Sequence, residues 1–201
     1  ANLALIPLLS GRLHIQQLQV VEPRAVLHQS HRKEKKPPPP LRKPFKLRID
    51  RFDLSQGKVE YGDKLYSLQA SLADIIISLK FLKEENRHGG EVEAHKGRVS
   101  FSRHTLPITE LRAGIFFDEN NVLIEQLSLR TEISSLAVRG NVQDYQSAPD
   151  YQFQVGGALG LSEFHPFFDP SRSYAGQLEI NANLQGKQGS FAFGGNAGGQ
   201  D

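Results

Sequence analysis

Apolar residues that alternate at every second position and then slip by one confine this chain to β-structure of a particular kind. In residues 47–61 the apolar positions are Leu47, Ile49, Phe52, Leu54, Val59 and Tyr61. Leu47 and Ile49 alternate with charged residues, as a half-buried strand requires. The step from Ile49 to Phe52 is three residues instead of two, and Gln56-Gly57 interrupts the run before Val59. The same form recurs in Leu13-x-Ile15-x-x-Leu18-x-Val20 and in Val122-x-Ile124-x-x-Leu127-x-Leu129, and the part after the glycine recurs as Gly97-x-Val99-x-Phe101. One structural unit is therefore used several times.

Side chains alternate faces along a strand, so an uncompensated slip would send half of the apolar set into water. A bulge absorbs the extra residue, raises the local twist and bends the strand. Repeated on many strands, it curls a sheet into a trough. The slip can instead move apolar groups between two buried faces, as in a sandwich, and the pattern alone does not separate the two. No long amphipathic helix is evident to fill a trough. An open apolar trough binds something apolar, and a lipid-like ligand fits that description.

Along the chain the turn signals mostly recur every 8–12 residues, which points to antiparallel all-β structure and away from a parallel α/β sheet. Residues 11–28 read as strand, bulge and strand, with Glu22-Pro23 as the break. Residues 46–54 and 58–61 read as two strands joined by a hairpin-like turn at Ser55-Gln56-Gly57. Residues 65–81 repeat the slip between Leu72 and Ile75; Ile75-Ile76-Ile77 argues against helix there. Residues 83–90 read as a charged loop ending in Gly89-Gly90, Lys96-Gly97 as a turn, and residues 105–117 as a stretch with one three-residue step. Asp118-Glu119-Asn120-Asn121 is a turn signal, residues 122–129 a strand with a bulge, and residues 143–150 a polar loop. Residues 162–170 form a short helical turn with Phe164, Phe167 and Phe168. Residues 176–186 alternate as an edge or outer strand, and the glycine-rich end frays, although Phe191 and Phe193 can add a last strand. The expected fold is mainly β: a curled antiparallel sheet of repeated strand–bulge–strand units with one or two short helices at most. Its parts are an N-terminal strand unit over 1–30, a linker over 31–44, a repetitive β-groove over 45–193 and a glycine-rich tail over 194–201.

The linker is the most biased stretch: His31-Arg-Lys-Glu-Lys-Lys-Pro-Pro-Pro-Pro-Leu-Arg-Lys-Pro44. Its four consecutive prolines favour an extended, solvated polyproline II form. A surface linker is the plain reading. A basic surface against anionic lipid headgroups, through Arg32, Lys33, Lys35, Lys36, Arg42 and Lys43, is a second, and a PxxP ligand a third.

Composition narrows the function classes. The net charge of +2 in 201 residues gives no field that argues for nucleic acid. The absence of cysteine excludes disulfides, thiolate metal sites and cysteine nucleophiles. No methionine is present, even at position 1, so the expectation is an internal or processed segment of a larger protein. No stretch reaches the length of a membrane span. The closest, residues 3–9, holds a proline; it is a short packed element or the tail of an anchor region upstream, and lacks the features of a signal peptide.

Catalytic patterns are lacking too. The histidines (His14, His28, His31, His88, His95, His104 and His165) show no ligand spacing beside a carboxylate, and exposure is their expected state. No nucleophile elbow, paired carboxylates or phosphate-binding glycine loop appears. Neither an enzyme nor a cofactor is expected.

Several segments resemble one family. Gly11-x-Leu13-x-Ile15-x-x-Leu18-x-Val20-x-x-Pro23-x-Ala25-x-Leu27 resembles the segment that follows the N-terminal membrane anchor in AsmA-like proteins. Residues 45–61 look like the next unit. Residues 122–129, then Leu136-x-Val138-x-Gly140-x-Val142, Tyr151-x-Phe153-x-Val155, Leu159-x-Leu161, the Phe164–Phe168 loop, Gly176-x-Leu178-x-Ile180 and Leu184-x-Gly186, are similar in order to C-terminal modules of AsmA and TamB relatives. The basic proline-rich insertion departs from that pattern. The resemblance implies a Gram-negative envelope protein, anchored in the inner membrane by one helix, whose periplasmic groove conducts phospholipid toward the outer membrane. An assembly factor for outer-membrane proteins, acting by strand addition, is the other reading. The groove-lining residues expected on this basis are Leu13, Ile15, Leu47, Ile49, Val59, Tyr61, Ile75, Ile77, Val99, Phe101, Val122, Ile124, Leu136, Val138, Phe153, Val155, Leu178 and Ile180. Arg48, Asp50 and Lys58 are expected to face solvent.

Overall fold

A computed structural model describes residues 12–29, 46–63, 65, 67–101, 104–168, 174–187 and 190–200. The proline-rich linker and its six basic residues lie outside them. The strands are β1 (Arg12–Val21), β2 (Arg24–Gln29), β3 (Lys46–Asp63), β4 (Leu68–Leu82), β5 (Arg87–Ala94), β6 (Lys96–Phe101), β7 (His104–Ile108), β8 (Glu110–Phe117), β9 (Val122–Arg130), β10 (Ser135–Gln143), β11 (Asp150–Gly160), β12 (Gln177–Lys187) and β13 (Ser190–Gln200). A single short helix among the described residues, α1 (Leu161–Phe168), follows β11. All thirteen strands join one sheet: ten follow in the order β1-β3-β4-β5-β8-β9-β10-β11-β12-β13, while β2 pairs with β3 and β6 with β4 and β7. The sheet is open and curled, with few helices, as expected.

The first strand unit is not separate from the rest. β1 and β2 lie one after the other along β3, both parallel to it, at one constant offset: Leu13 pairs with Leu47 and Ala25 with Val59. Parallel partners cannot be joined by a tight turn, so the chain needs residues 30–45 between them. From β3 onward the pairing is antiparallel.

Residues 55–57 form no hairpin. β3 continues through them, and the register against β4 shifts on both sides of Gly57. Gln56 takes a positive φ of 55°, Asp74 opposite takes 53°, and Glu22 on the flanking strands takes 54°. The breaks at His95, between β5 and β6, and at Thr109, between β7 and β8, continue the same line, since Ala73 pairs with Lys96 and Gly97 with Ile108. A crease therefore crosses the sheet through Glu22, Gln56, Asp74, His95 and Thr109. Bulges bend strands, and aligned bulges bend the sheet as a whole. β9 carries a further bulge, because Ile115 pairs with Ile124 but Ala113 with Leu127. That is the three-residue step read from residues 122–129. The step between Ile49 and Phe52 differs: it is matched by the step between Ile15 and Leu18 in β1, and the pairing keeps one offset across both.

Two glycine stretches expected as loop or tail are strand. The turn after β4 covers only residues 83–86, and Gly89 and Gly90 lie in β5. A Cβ at Gly90 would overlap the carbonyl oxygen of Ser78 and come within 3.0 Å of the Leu79 Cα. The glycine marks close strand approach, not a turn. At the other end, β13 pairs with β12 from Ser190 through Gln200, so β13 and not β12 forms that edge of the described sheet.

Candidate functional site

Residues paired across neighbouring strands share a face, and the register gathers the apolar residues on one side. One row runs Phe52–Leu79–Gly90–Ile115–Ile124–Gly140–Phe153–Leu184–Phe193. The next runs Leu54–Ile77–Val92–Ala113–Leu127–Val138–Val155–Ala182. Beyond the crease, Val59–Leu72–Gly97–Ile108 and Tyr61–Ala70–Val99–Leu106 continue the face. The opposite side carries Arg51, Asp53, Glu60, Lys80, Arg112, Ser128, Arg139, Gln154 and Asn183.

Burial separates the two sides. Ile75, Leu79, Ala94, Ile108, Ala113 and Ala182 are the buried apolar residues, and Ala94 is only 1% exposed. The alternation of β12 is the clearest case: Leu178, Ile180, Ala182 and Leu184 are half-buried or buried, while each residue between them is exposed. An alanine on a flat, uncovered sheet would be open to water. Its burial places the apolar side inside the curl, with larger neighbours leaning over it. Yet no large side chain among the described residues falls below 2% exposure, as a packed second layer would produce. The face is shaped and shielded at its floor but not filled.

Of the expected lining residues, Val59, Tyr61, Ile75, Ile77, Val99, Phe101, Val122, Ile124, Leu136, Val138, Phe153, Val155, Leu178 and Ile180 fall on this face by register. Ile15 and Ile49, expected on it as well, pair with each other, but Arg48 lies over Phe81 on the apolar side and the register shows no shift before Arg51, so alternation along β3 turns Ile15 and Ile49 to the opposite face. The side chains of Leu13 and Leu47 lie outside the described ones. Phe52, Leu54, Leu79, Val92, Ala113 and Leu127 also belong to the face; Leu79 alternates in phase with Ile77, whereas Phe52 and Leu127 each lie a three-residue step from an expected lining residue, Ile49 and Ile124.

The end of the face at Ile49 is polar, and here the structure differs most from expectation. The Arg48 guanidinium lies 4.3 Å above the Phe81 ring, and Phe81 follows Leu79 and Ile77 in alternation along β4. Arg48 Nε donates to Asp50 Oδ1 at 2.8 Å, and His14 Nε2 meets Asp50 Oδ2 at 2.7 Å. His88, expected to be exposed, sits between Phe81 and Phe117 with ring centroids 5.1 Å from each. Its Nε2 donates to the Ile49 carbonyl at 2.8 Å. A carbonyl only accepts, so that nitrogen carries the proton.

The same arrangement repeats along β3. Asp50, Asp53 and Glu60 each receive a base two residues earlier on β3 (Arg48, Arg51 and Lys58) and a donor from β1 or β2 (His14, Gln17 and Arg24). The sequence signal is a base-x-acid triplet occurring three times, with each donor 36 residues before its carboxylate. For Asp50, partial burial works to raise the pKa, but the hydrogen bonds from His14 and Arg48 outweigh it and hold the group low. For Asp53 the Arg51 hydrogen bond leads and the pKa is again lowered. Glu60, bonded first by Lys58 and then by Arg24, is held down to about 2. A carboxylate with a depressed folded pKa contributes stability above its unfolded value and loses it as pH falls through the folded value. The attachment of β1–β2 is therefore expected to be at full strength above about pH 5 and to weaken between about pH 4 and 2. Urea unfolding followed across that range checks this, and Glu60→Gln should flatten part of the slope.

At the far side of the crease α1 is fastened by its first turn. Glu163 accepts from Thr131 Oγ1 at 2.6 Å, from Ser134 Oγ and from the Ile133 amide at 3.1 Å. Burial opposes ionisation of Glu163, but these donors together lower its pKa. The helix lies against β11 and β7, beside a strand whose Pro107 suits an edge.

Among the described residues no group of three His, Cys, Asp or Glu is placed to hold a metal ion. No helix among them is long and apolar enough to cross a membrane. Comparison of the chain with protein-family models, with characterised proteins and with solved structures finds no match in any of the three.

Proposed function

We propose that this chain is a lipid-binding groove segment of an AsmA-like envelope protein, anchored in the inner membrane upstream and lying in the periplasm, which carries phospholipid between the inner and outer membranes. The observation that carries the reading is the apolar side of the curled sheet. It is continuous across the main run of strands and has no covering layer among the described residues. Exposed apolar patches of this extent mark binding surfaces, and a long trough fits acyl chains better than a compact ligand. The resemblance of the strand–bulge–strand units to the AsmA-like family supplies the compartment and the anchor.

A second reading has its own observation. β13 is glycine-rich, exposed from Ala192 through Gly199 and unpaired on its outer edge among the described residues, a form that invites strand addition. A scaffold that assembles outer-membrane proteins would bind unfolded β-rich peptides through such an edge.

Native mass spectrometry of the purified chain separates the two. Retained masses of phospholipid are expected, released when the ion is activated. A chain that carries no lipid but binds β-rich peptides would favour the scaffold.

A further inference from the structure

We propose that the polar cluster at the Ile49 end of the apolar face is a headgroup site for a zwitterionic glycerophospholipid, with the phosphate on Arg48 and the ammonium on Asp50. The inference rests on the lipid reading above and names where in the groove the lipid is held and by which chemistry.

The rows of the face are apolar until the one that holds Phe81, His88 and Phe117. There Arg48 lies on the Phe81 ring, so a charged fork is fixed at the rim of an apolar surface. Only its Nε is taken by a described residue, Asp50, and the side chain is 41% exposed. Its terminal amino groups point to a ligand of phosphate geometry, which guanidinium grips in bidentate fashion. His14 Nε2 donates to Asp50 at 2.7 Å and holds the carboxylate in place beside Arg48. The site also holds a carboxylate at its centre. Arg48 and Asp50 cancel in charge, so a purely anionic headgroup would meet Asp50 with no compensation, whereas a headgroup that brings its own cation satisfies both. Along β4, the face from Phe81 down to Ile75 spans about 20 Å at strand rise. One leaflet of a bilayer gives its chains about 15 Å, so acyl chains anchored at Arg48 fit along the face on the near side of the crease.

Equilibrium binding of three lipids with identical short acyl chains tests this: phosphatidylethanolamine, phosphatidylglycerol and diacylglycerol. The wild-type chain should bind phosphatidylethanolamine at least about tenfold more tightly than diacylglycerol. Arg48→Ala should bring the two to the same affinity. Arg48→Gln keeps the stem against Phe81 and should do the same, which guards against a folding defect of the alanine variant. Asp50→Asn should erase the preference for phosphatidylethanolamine over phosphatidylglycerol. Equal wild-type affinities for phosphatidylethanolamine and diacylglycerol, or a ratio unmoved in both Arg48 variants, would overturn the headgroup site and leave the groove standing. Binding of glycerophosphoethanolamine, which has no acyl chains, as tightly as the intact lipid would overturn the groove reading and leave the headgroup site standing. Failure of all three lipids to bind would remove the groove reading itself.

Discussion

Val155→Asp will purify without phospholipid, and Gln154→Asp will carry as much as the wild-type chain. The two positions are adjacent in β11 and lie on opposite faces: Val155 pairs with Val138 and Ala182, Gln154 with Arg139 and Asn183. Val155 is half-buried, so an aspartate there stays hydrated in the empty groove and the sheet can still form. Against an acyl chain the same carboxylate must be stripped of water, at a cost of several kcal/mol, or on the order of a hundredfold or more in affinity. Native mass spectrometry reads the lipid, and a thermal melt confirms that both variants fold. Lipid retained by Val155→Asp would mean that the apolar face is not where lipid sits.

Gly90→Ala will destabilise the sheet heavily, and Gly114→Ala will not. A Cβ at Gly90 meets the backbone of β4 at Ser78 and Leu79, which cannot yield as a side chain tip would. Forced overpacking costs about 1–3 kcal/mol and occasionally more, out of a total that is only about 5–15 kcal/mol. β5 is also the link between β4 and β8 in the main strand order, so strain there acts on the middle of the sheet. At Gly114, two strand positions from Arg112 on the polar side, the nearest atom to a new Cβ would be Glu125 Oε2 at 3.7 Å, an ordinary contact. Urea unfolding of the two variants should differ by more than about 1 kcal/mol; equal midpoints would show that β4 and β5 can separate locally without loss.

The cluster at Arg48 bears on how the groove is closed at that end. β3 leaves its ladder with β4 after Arg51, and the freed Ile49 carbonyl is taken by His88 from two strands away. The edge ribbon of β1 and β2 is then tied to β3 by three repeated carboxylate clusters and by main-chain pairing. Exposed ion pairs contribute little each, but the repeated pattern sets the register of a parallel edge that no turn could set.

The alternation of Val122, Ile124, Leu127 and Leu129 was enough to give strand, bulge and face together, because each depends only on residues a few positions apart. The same local logic made Ile75, Ile77, Val138, Val155, Leu178 and Ile180 legible as one apolar set. It failed at Gln56-Gly57 and at Gly89-Gly90, where glycine signals either a turn or a close approach. Which one holds depends on the strand opposite. It failed at His88, whose environment is made by Phe81 from one strand, Phe117 from another and the Ile49 carbonyl from a third. By itself the sequence determined that this chain is mainly β, repetitive and two-faced, since those properties follow from period and phase. Only the tertiary structure decided that the bulges align into one crease, that β1 and β2 run parallel to β3, that the apolar side stays uncovered among the described residues, and that a charged cluster stands at its end. Each of these is a relation between strands far apart in the chain, and pairing across such distances is set by the assembled sheet.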